Sequence, residues 1–255
     1  MIYWLYNLLS AYDIPGWGML PGISFRAAAA IILSLLITTV FGKKLILILQ
    51  RKQIGDEVRD LGLEGQMQKQ GTPTMGGIII LAAIIIPTLL FGRLDNVYIL
   101  LMLVTTVFLG FIGFVDDYIK VFKKNKKGLA GRFKILGQVT LGLLVVATLF
   151  ISEDVKVREH VRDENGKHAT IQTVDPETGE DVNVFVTEDV KSTKTTIPFV
   201  KRNEFDYEWL VAFAGDAASW LKWVVYAIVI ILIITAVSNA ANLTDGIDGL
   251  ATGTS

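Results

Sequence analysis

The chain has 255 residues, of which 52% are hydrophobic and 19% are charged, and its mean hydropathy is +0.50. This apolar content is too high for an ordinary soluble domain, and it excludes an intrinsically disordered chain. With 24 basic and 25 acidic residues the formal charge is -1, so we expect no nucleic-acid partner. The absence of cysteine excludes disulfides, thiolate metal sites and cysteine nucleophiles.

Five apolar segments are long enough to cross a bilayer, since a helical span takes roughly 17 to 25 residues. The opening segment, residues 1–12, has no basic start and no cleavage site, and we interpret it as an interfacial segment rather than a signal peptide. The predicted fold is an all-α polytopic membrane protein with a small β-rich extracytoplasmic insertion. The predicted spans are residues 23–49, 76–92, 97–115, 135–151 and about 221–237.

The orientation follows from a loop at residues 116–134, which carries seven basic residues. Basic residues are enriched in short cytoplasmic loops, so this loop is predicted to be cytoplasmic. By alternation, residues 51–75 and the end of the chain after residue 237 lie on the same face. The basic residues are Lys120, Lys123, Lys124, Lys126, Lys127, Arg132 and Lys134.

The insertion at residues 152–208 is predicted to be a polar extracytoplasmic domain. It has 14 acidic and eight basic residues, and alternation at 170–174 and 182–187 predicts a β-hairpin or meander. His160 and His168 are interpreted as solvated surface histidines, because they have no carboxylate partners at ligand spacing. The chain thus divides into residues 1–151 with four spans, the insertion, and residues 209–255 with the last span and a cytoplasmic motif.

A first polar cluster, residues 69–77, directly precedes the second span. Thr72 followed by Pro73 is typical of a helix N-cap with proline at the first helical position, which places unpaired amides beside Lys69. An anion site is one interpretation. A plain helix start, with small residues for close helix packing, is the other.

A second cluster, Asp116 and Asp117, follows the third span. Two adjacent carboxylates at a helix C-terminus repel each other and oppose the helix dipole, unless a metal, a proton or lysines compensate them. Neighbours on a helix point about 100° apart, so we expect one to face a reacting centre while the other orients it or accepts a proton. The alternative is a solvated helix end balanced by the following lysines.

A third cluster follows the last span and repeats polar residues at every third position. This spacing aligns them on one face of a helical turn, and the glycines at 246 and 249 permit close approach of a ligand. A solvated helix terminus is the alternative. The polar residues are Asn239, Asn242, Asp245 and Asp248.

All three clusters are predicted to lie on the cytoplasmic face of the membrane. Oxygen ligands without cysteine or histidine favour a hard cation such as Mg²⁺, which usually pairs one or two carboxylates with substrate phosphates. Phosphoryl chemistry at the membrane surface is the predicted class of function.

Four stretches, residues 58–62, 69–77, 114–118 and 239–250, resemble the phospho-N-acetylmuramoyl-pentapeptide-transferase family. The aspartate pair and the last motif are shared with the wider superfamily of polyprenyl-phosphate N-acetylhexosamine-1-phosphate transferases. The sequence GTPTMGG at residues 71–77 is characteristic of the muramoyl-pentapeptide branch. Family members have more spans than this chain, so we expect an N-terminal part of the enzyme that is inactive by itself.

The resemblance implies transfer of phospho-MurNAc-pentapeptide from UDP-MurNAc-pentapeptide to undecaprenyl phosphate, which gives lipid I and UMP and requires Mg²⁺. It implies a multi-pass protein among the lipids of the bacterial inner membrane, with its active site on the cytoplasmic face. Whether attack is direct or passes through a phosphorylated aspartate is left open, and so is a homodimer.

The same resemblance implies roles for single residues. Asp116 corresponds to the base that deprotonates or positions the lipid phosphate, and Asp117 to its partner near the metal and the diphosphate. Asn242 and Asp117 would hold Mg²⁺. Lys69 would bind the diphosphate or the uracil side of the nucleotide sugar, and Lys120 and Lys134 would neutralise phosphate. The other three polar residues of the third cluster would line the nucleoside pocket. The implied substrate-binding residues are Lys69, Thr74, Lys120, Lys134, Asn239, Asp245 and Asp248.

Three other functions are open on sequence. A transporter or channel fragment would carry charges in mid-span, whereas Arg26 and Lys222 lie near predicted span ends, where they can snorkel. A purely structural membrane module would not explain three polar clusters on one face. A UDP-GlcNAc:polyprenyl-phosphate GlcNAc-1-phosphate transferase is the closer rival.

Overall fold

A computed structural model of the chain describes residues 1–9, 12, 16–51, 75–123, 125, 128–161, 169–174, 181–198 and 204–244. Short 3-10 turns occur at Trp17–Met19 and Ala212–Ala217, and the π-helical segment Ile37–Phe41 joins two helices into one rod. The helices are α1 (Ile2–Leu9), α2 (Ile23–Leu36), α3 (Gly42–Arg51), α4 (Gly77–Phe91), α5 (Val97–Phe122), α6 (Gly131–Ile151), α7 (Glu208–Val211) and α8 (Ala218–Thr244).

The predicted polytopic membrane fold is confirmed. Within the described ranges, four helices are long and apolar enough to cross a membrane: Ile23–Arg51, Val97–Phe122, Gly131–Ile151 and Glu208–Asn242. The predicted second span corresponds to α4, a helix of 15 residues. At 1.5 Å per residue it is roughly 22 Å long, which is less than the ~30 Å of a bilayer core.

Two helices extend beyond the predicted spans. α5 continues past Val115 to Phe122, and α8 continues past Val237 to Thr244. The apolar windows end at the first polar residues, but a helix ends only where its backbone hydrogen bonds end. Asp116 and Asp117 therefore lie inside the last two turns of α5 rather than at its terminus.

The chain divides into two compact units. The first comprises Met1–Gly142 and Ile234–Ser255, and the second comprises Leu143–Ile233. In the first unit α2 packs antiparallel to α4: Arg26 Nη1, at the start of α2, donates to the carbonyl of Phe91, at the end of α4, at 3.2 Å. α5 then begins at Asn96, whose side chain caps the helix by accepting from two backbone N–H groups at 2.9 and 3.3 Å.

The described part of the second unit contains three two-stranded antiparallel sheets. β2–β3 forms a hairpin nested between β1 and β4, and the N–H of Val186 joins the two sheets by donating to the carbonyl of Ala169 at 2.8 Å. The insertion is thus β-rich as predicted, with nested hairpins rather than a meander. The pairs are β1 (Val157–His160) with β4 (Thr187–Val190), β2 (Thr170–Val174) with β3 (Asp181–Phe185), and β5 (Thr195–Thr196) with β6 (Glu204–Phe205).

A small aromatic cluster connects these strands to the last span within the second unit. Tyr207 is 6% exposed, and its ring lies 5.2 Å from the ring of Phe205 and 5.6 Å from that of Tyr226 on α8. Its hydroxyl is 3.1 Å from the hydroxyl of Thr195 on β5. The β5–β6 pair is therefore held against the beginning of α8 by packing as well as by the covalent chain.

The pair formed by Glu159 and Lys194 is expected to give the second unit a defined response to acid. The Lys194 ammonium lies 2.7 Å from a Glu159 oxygen, and its hydrogen bond holds the pKa of that carboxyl below its ordinary value. The pair's stabilisation is complete above the ordinary carboxyl pKa and is lost as the pH falls through the lowered one. Hydrogen exchange of the β1 and β4 amides in the full-length protein should therefore accelerate only in acid below that ordinary range.

Lys194 sets the upper pH limit of the stabilisation that this pair provides. Glu159 raises the pKa of Lys194, so the stabilisation persists through neutral pH and is lost only above the ordinary lysine range. Glu159→Gln should abolish the acid step, while Asp189→Asn, which breaks a more exposed pair with Arg158, should leave it in place. An unchanged acid step in Glu159→Gln would assign it to another group.

Candidate active site

Asp116 is the centre of the polar site in the first unit. It is 6% exposed, although it lies on a helix whose composition suits a membrane span. Its Oδ2 lies 2.7 Å from Lys120 Nζ and its Oδ1 lies 2.9 Å from Lys134 Nζ. The backbone N–H of Leu129 also donates to Oδ1, at 2.7 Å. A buried carboxylate is tolerated when it is paired and hydrogen-bonded in this way.

Local sequence explains how the three donors reach one carboxylate. Lys120 lies one turn further along α5 and on the same face. The chain then turns back at Gly128, where φ is +65° and the N–H donates to the carbonyl of Asn125 at 2.9 Å. This turn delivers the Leu129 N–H to Asp116, and α6 begins at once with Lys134 in its first turns.

Gly128 fits this position because it has no side chain. A Cβ built there would lie 2.4 Å from Asp116 Oδ1 and 2.8 Å from Lys120 Cε. The positive φ independently disfavours other residues. The loop can therefore approach the carboxylate only with glycine at this position.

Asp117 is placed differently from its neighbour. Consecutive helical side chains point about 100° apart, and Asp117 is half-buried whereas Asp116 is buried. The structure therefore separates the pair into one carboxylate enclosed by lysines and one closer to the surface, and the interpretation as a solvated helix end does not fit Asp116.

One face of α6 connects this cluster to α8. Lys134, Gln138 and Leu141 follow the i, i+4, i+7 spacing, and the last two are buried. Gln138 Nε2 donates to Ser238 Oγ at 3.1 Å, and Gln138 Oε1 accepts from Asn239 Nδ2 at 3.3 Å. Lys134 binds Asp116, and Gln138, which lies one helical turn (~5.4 Å) further along α6, binds Asn239. Asp116 and Asn239 are therefore bound to neighbouring turns of the same helix.

The third cluster begins inside α8 rather than after it. Asn239 Nδ2 donates to the carbonyl of Thr235 at 2.8 Å as well as to Gln138, so the amide nitrogen of Asn239 serves helix packing. Asn242 lies three residues later on α8 and is exposed. Asp245 and Asp248 lie outside the described residues.

The first cluster is described only from Met75 onward. Met75 is 7% exposed, has φ of 70°, and packs with Leu49, Leu45 and Val121 where the end of α3, the start of α4 and the end of α5 meet. Val121 lies one turn after Asp117 on α5. The end of the first cluster is therefore beside the aspartate-bearing end of α5. Lys69 and Thr74 lie outside the described residues.

The described residues of the site do not by themselves form a set of metal ligands. Among the described residues there is no group of three histidine, aspartate or glutamate side chains that could hold an ion. Asp116 already has two lysine cations beside it, so its charge is balanced without a metal. His160 lies in the second unit against the ring of Phe185, at 5.4 Å, and His168 is outside the described residues.

Three contributors to the site have only weak sequence signals. Gly128 is one glycine in a basic loop, the Leu129 donor is a backbone group, and Gln138 is one polar residue in an apolar helix. A glutamine four residues after a lysine, within an otherwise apolar helix, could have indicated Gln138. The loop contacts have no periodic pattern that would reveal them.

Sequence comparison shows which known proteins this chain is similar to. Residues 69–81 match the model described as phospho-N-acetylmuramoyl-pentapeptide-transferase signature 1, and residues 184–255 match the model for glycosyl transferase family 4. A phospho-N-acetylmuramoyl-pentapeptide-transferase of Parabacteroides distasonis is 56% identical over 260 residues, covering 100% of this chain and 58% of the relative. Proteins of the same name from Flavobacterium psychrophilum and Porphyromonas gingivalis are 52% and 50% identical, with 61% and 58% of each relative covered.

Over its whole length the chain is similar to phospho-N-acetylmuramoyl-pentapeptide-transferases. It spans about three fifths of the length of these relatives. The signature match covers the first cluster and the start of α4, and the family 4 match covers the third cluster. The signature region borders the Asp116 site through Met75, which packs near the end of α5. The family 4 region borders it through Ser238 and Asn239, which contact Gln138 on α6.

Proposed function

We propose that the full-length protein containing this chain transfers phospho-MurNAc-pentapeptide from UDP-MurNAc-pentapeptide to undecaprenyl phosphate. The products are lipid I and UMP. The bond that breaks joins the two phosphates of the UDP-sugar, and the new bond joins the sugar phosphate to the lipid phosphate. The observation that carries the proposal is the pair of lysines held 2.7 and 2.9 Å from one buried carboxylate at the end of an apolar helix. The names of the relatives supply the transferred group, and the UDP carrier and the lipid acceptor are those that the family resemblance implies.

The lysines are suited to phosphoryl transfer, which depends on positioning and on neutralising charge at the phosphate oxygens. An ammonium has three N–H donors, so a lysine bonded to Asp116 retains donor capacity for phosphate. The side chains of Lys120 and Lys134 are 41% and 20% exposed, which leaves both reachable. Without Asp116, their mutual repulsion would drive them apart.

This arrangement gives the two aspartates different proposed tasks. Asp116 accepts three donors out of about four lone-pair directions, which makes it a poor base and a good anchor for the lysines. We therefore assign Asp116 a positioning role. Asp117, which is nearer the surface, is the candidate to accept a proton or to approach the lipid phosphate.

The proposal includes Mg²⁺ because the site has further oxygen atoms that suit this ion. Asp117 and Asn242 offer the oxygen ligands that this ion prefers, and when bound it would neutralise charge on the diphosphate. Lys69, Thr74, Asn239, Asp245 and Asp248 remain the predicted contacts to the UDP-sugar. Asn239 enters this set through its carbonyl oxygen, since its nitrogen contacts Gln138 and Thr235.

The proposed site faces the cytoplasm, in the inner membrane of a bacterium. Single cysteines at Lys126, in the basic loop, and at Thr178, in the polar insertion, should be labelled from opposite sides of intact membrane. An impermeant maleimide added outside should react with Thr178→Cys in the full-length protein and with Lys126→Cys only after lysis. Labelling of Lys126→Cys from outside would reverse the orientation.

A donor comparison tests the function itself. The full-length protein, assayed with undecaprenyl phosphate and Mg²⁺, should release UMP from UDP-MurNAc-pentapeptide and not from UDP-GlcNAc. Turnover of UDP-GlcNAc alone would assign the chain to the rival GlcNAc-1-phosphate transferase activity. The match to the muramoyl-pentapeptide signature at residues 69–81 favours the first outcome.

A further inference from the structure

A second cationic cluster lies at the opposite end of α2 and α4 from Met75. The ring of Tyr3, on α1, lies close to two arginines: Arg26 Cζ is 5.2 Å and Arg93 Cζ is 4.8 Å from the ring centroid. Arg26 is in the first turn of α2, and Arg93 directly follows α4. We call this group the Tyr3 cluster; no residue of the proposed active site belongs to it.

The charges of the Tyr3 cluster are not balanced within the described residues. Arg93 Nη2 pairs with Asp95 at 2.6 Å, and no described carboxylate lies within ion-pair distance of Arg26. Arg26 is nevertheless 8% exposed, so its charge is largely removed from water. Of the two guanidinium groups, only that of Arg93 is therefore paired with a described carboxylate.

Arg26 also has an unused hydrogen-bond donor. Its Nη1 donates to the carbonyl of Phe91 at 3.2 Å, while its Nε is buried and has no partner. A buried charged donor without a partner is costly, and arginines near span ends normally pair with another group. An anion bound beside the two guanidinium groups would offset the unbalanced charge.

The surroundings indicate which anion. The cluster lies at the ends of two apolar helices, where a bilayer presents lipid phosphates, and guanidinium groups bind phosphate oxygens through paired N–H donors. The side chain of Arg93 is 48% exposed, so an incoming headgroup can reach it before it reaches Arg26. Basic pockets between spans are a recognised type of lipid-headgroup site.

We propose that Arg26 and Arg93, which both contact the ring of Tyr3, form a binding site for the phosphate of an anionic membrane lipid. The site is on the outer side if the basic loop is cytoplasmic. It is independent of the transferase activity, so either proposal can fail while the other holds. Lipid binding here would hold α1 against α2 and α4.

Lipid binding to the purified full-length protein tests this site. In native mass spectrometry with phosphatidylglycerol, Arg93→Gln and Arg26→Gln should each weaken lipid binding about tenfold, the size of one lost charge-assisted hydrogen bond. Arg158→Gln is the matched control, because Arg158 is also an exposed arginine paired with an aspartate, at 3.2 Å. Its lipid affinity should equal that of the wild type.

Two further measurements distinguish a lipid phosphate from a soluble phosphate. Phosphatidylcholine, whose phosphate carries its own compensating ammonium, should bind more weakly than phosphatidylglycerol, and millimolar inorganic phosphate should not displace the lipid. Displacement by inorganic phosphate would assign the site to a soluble anion and overturn the lipid assignment. Equal phosphatidylglycerol affinity in wild type and Arg93→Gln would also overturn it. Because Arg93 is half-exposed, this variant keeps the test valid even if Arg26→Gln fails to fold.

Discussion

Asp117→Asn in the full-length protein is expected to lower turnover by ~10²-fold or more while leaving thermal stability near that of the wild type. Asparagine keeps the shape of aspartate and removes the charge that accepts a proton or binds metal. Asp117 is half-buried, so the substitution does not remove a fully buried charge. Steady-state turnover and a melting curve on the same preparation measure the two effects.

Asp116→Asn should lose turnover to a similar degree for a different reason. It removes the anchor of Lys120 and Lys134 and leaves the Leu129 N–H with a weaker acceptor, so a stability cost of ~1–3 kcal/mol should accompany the loss. Asp189→Asn, in an exposed ion pair of the second unit, is the control and should retain full turnover. Wild-type turnover in both active-site variants would show that the reaction does not depend on either aspartate.

Gly128→Ala is the second change with a large expected effect. The added Cβ would lie 2.4 Å from Asp116 Oδ1, on a residue whose φ is +65°. The loop must move away, so the Leu129 donor leaves the carboxylate and the lysines shift with it. A displacement of about 1 Å at a catalytic group can cost ~10²-fold in rate, and the backbone strain alone costs ~1–3 kcal/mol.

Two companion variants separate the causes of that loss. Gly131→Ala, three residues later, is the matched control, because a Cβ at Gly131 meets no atom within 4 Å and its φ is not positive. Gly128→Asn tolerates a positive φ but still carries a Cβ, so it should be nearly as impaired as Gly128→Ala. Full activity in Gly128→Asn would show that only the φ matters and that the approach to Asp116 does not.

Much of the architecture was predictable because span formation depends on local quantities. Apolar length alone indicates α2 to α6 and α8, since every backbone group of a membrane helix is satisfied within the segment itself. The β-rich insertion followed from alternation in residues 170–174 and 182–187. Helix ends were less predictable: α5 continues to Phe122 with the Asp116–Lys120 pair along its face, and hydropathy does not register such pairs.

The sequence by itself also determined which residues carry charge and amide groups at the site, and on which face of the membrane they are predicted to lie. Only the tertiary structure decided that Asp116 is enclosed while Asp117 is not, that Gly128 permits this enclosure, and that Gln138 links α6 to Asn239. These contacts join residues from 12 to about 100 positions apart, and they form only when helices and a loop close on one another. Periodicity describes a single segment, whereas burial and hydrogen-bond geometry are properties of the packed assembly of segments.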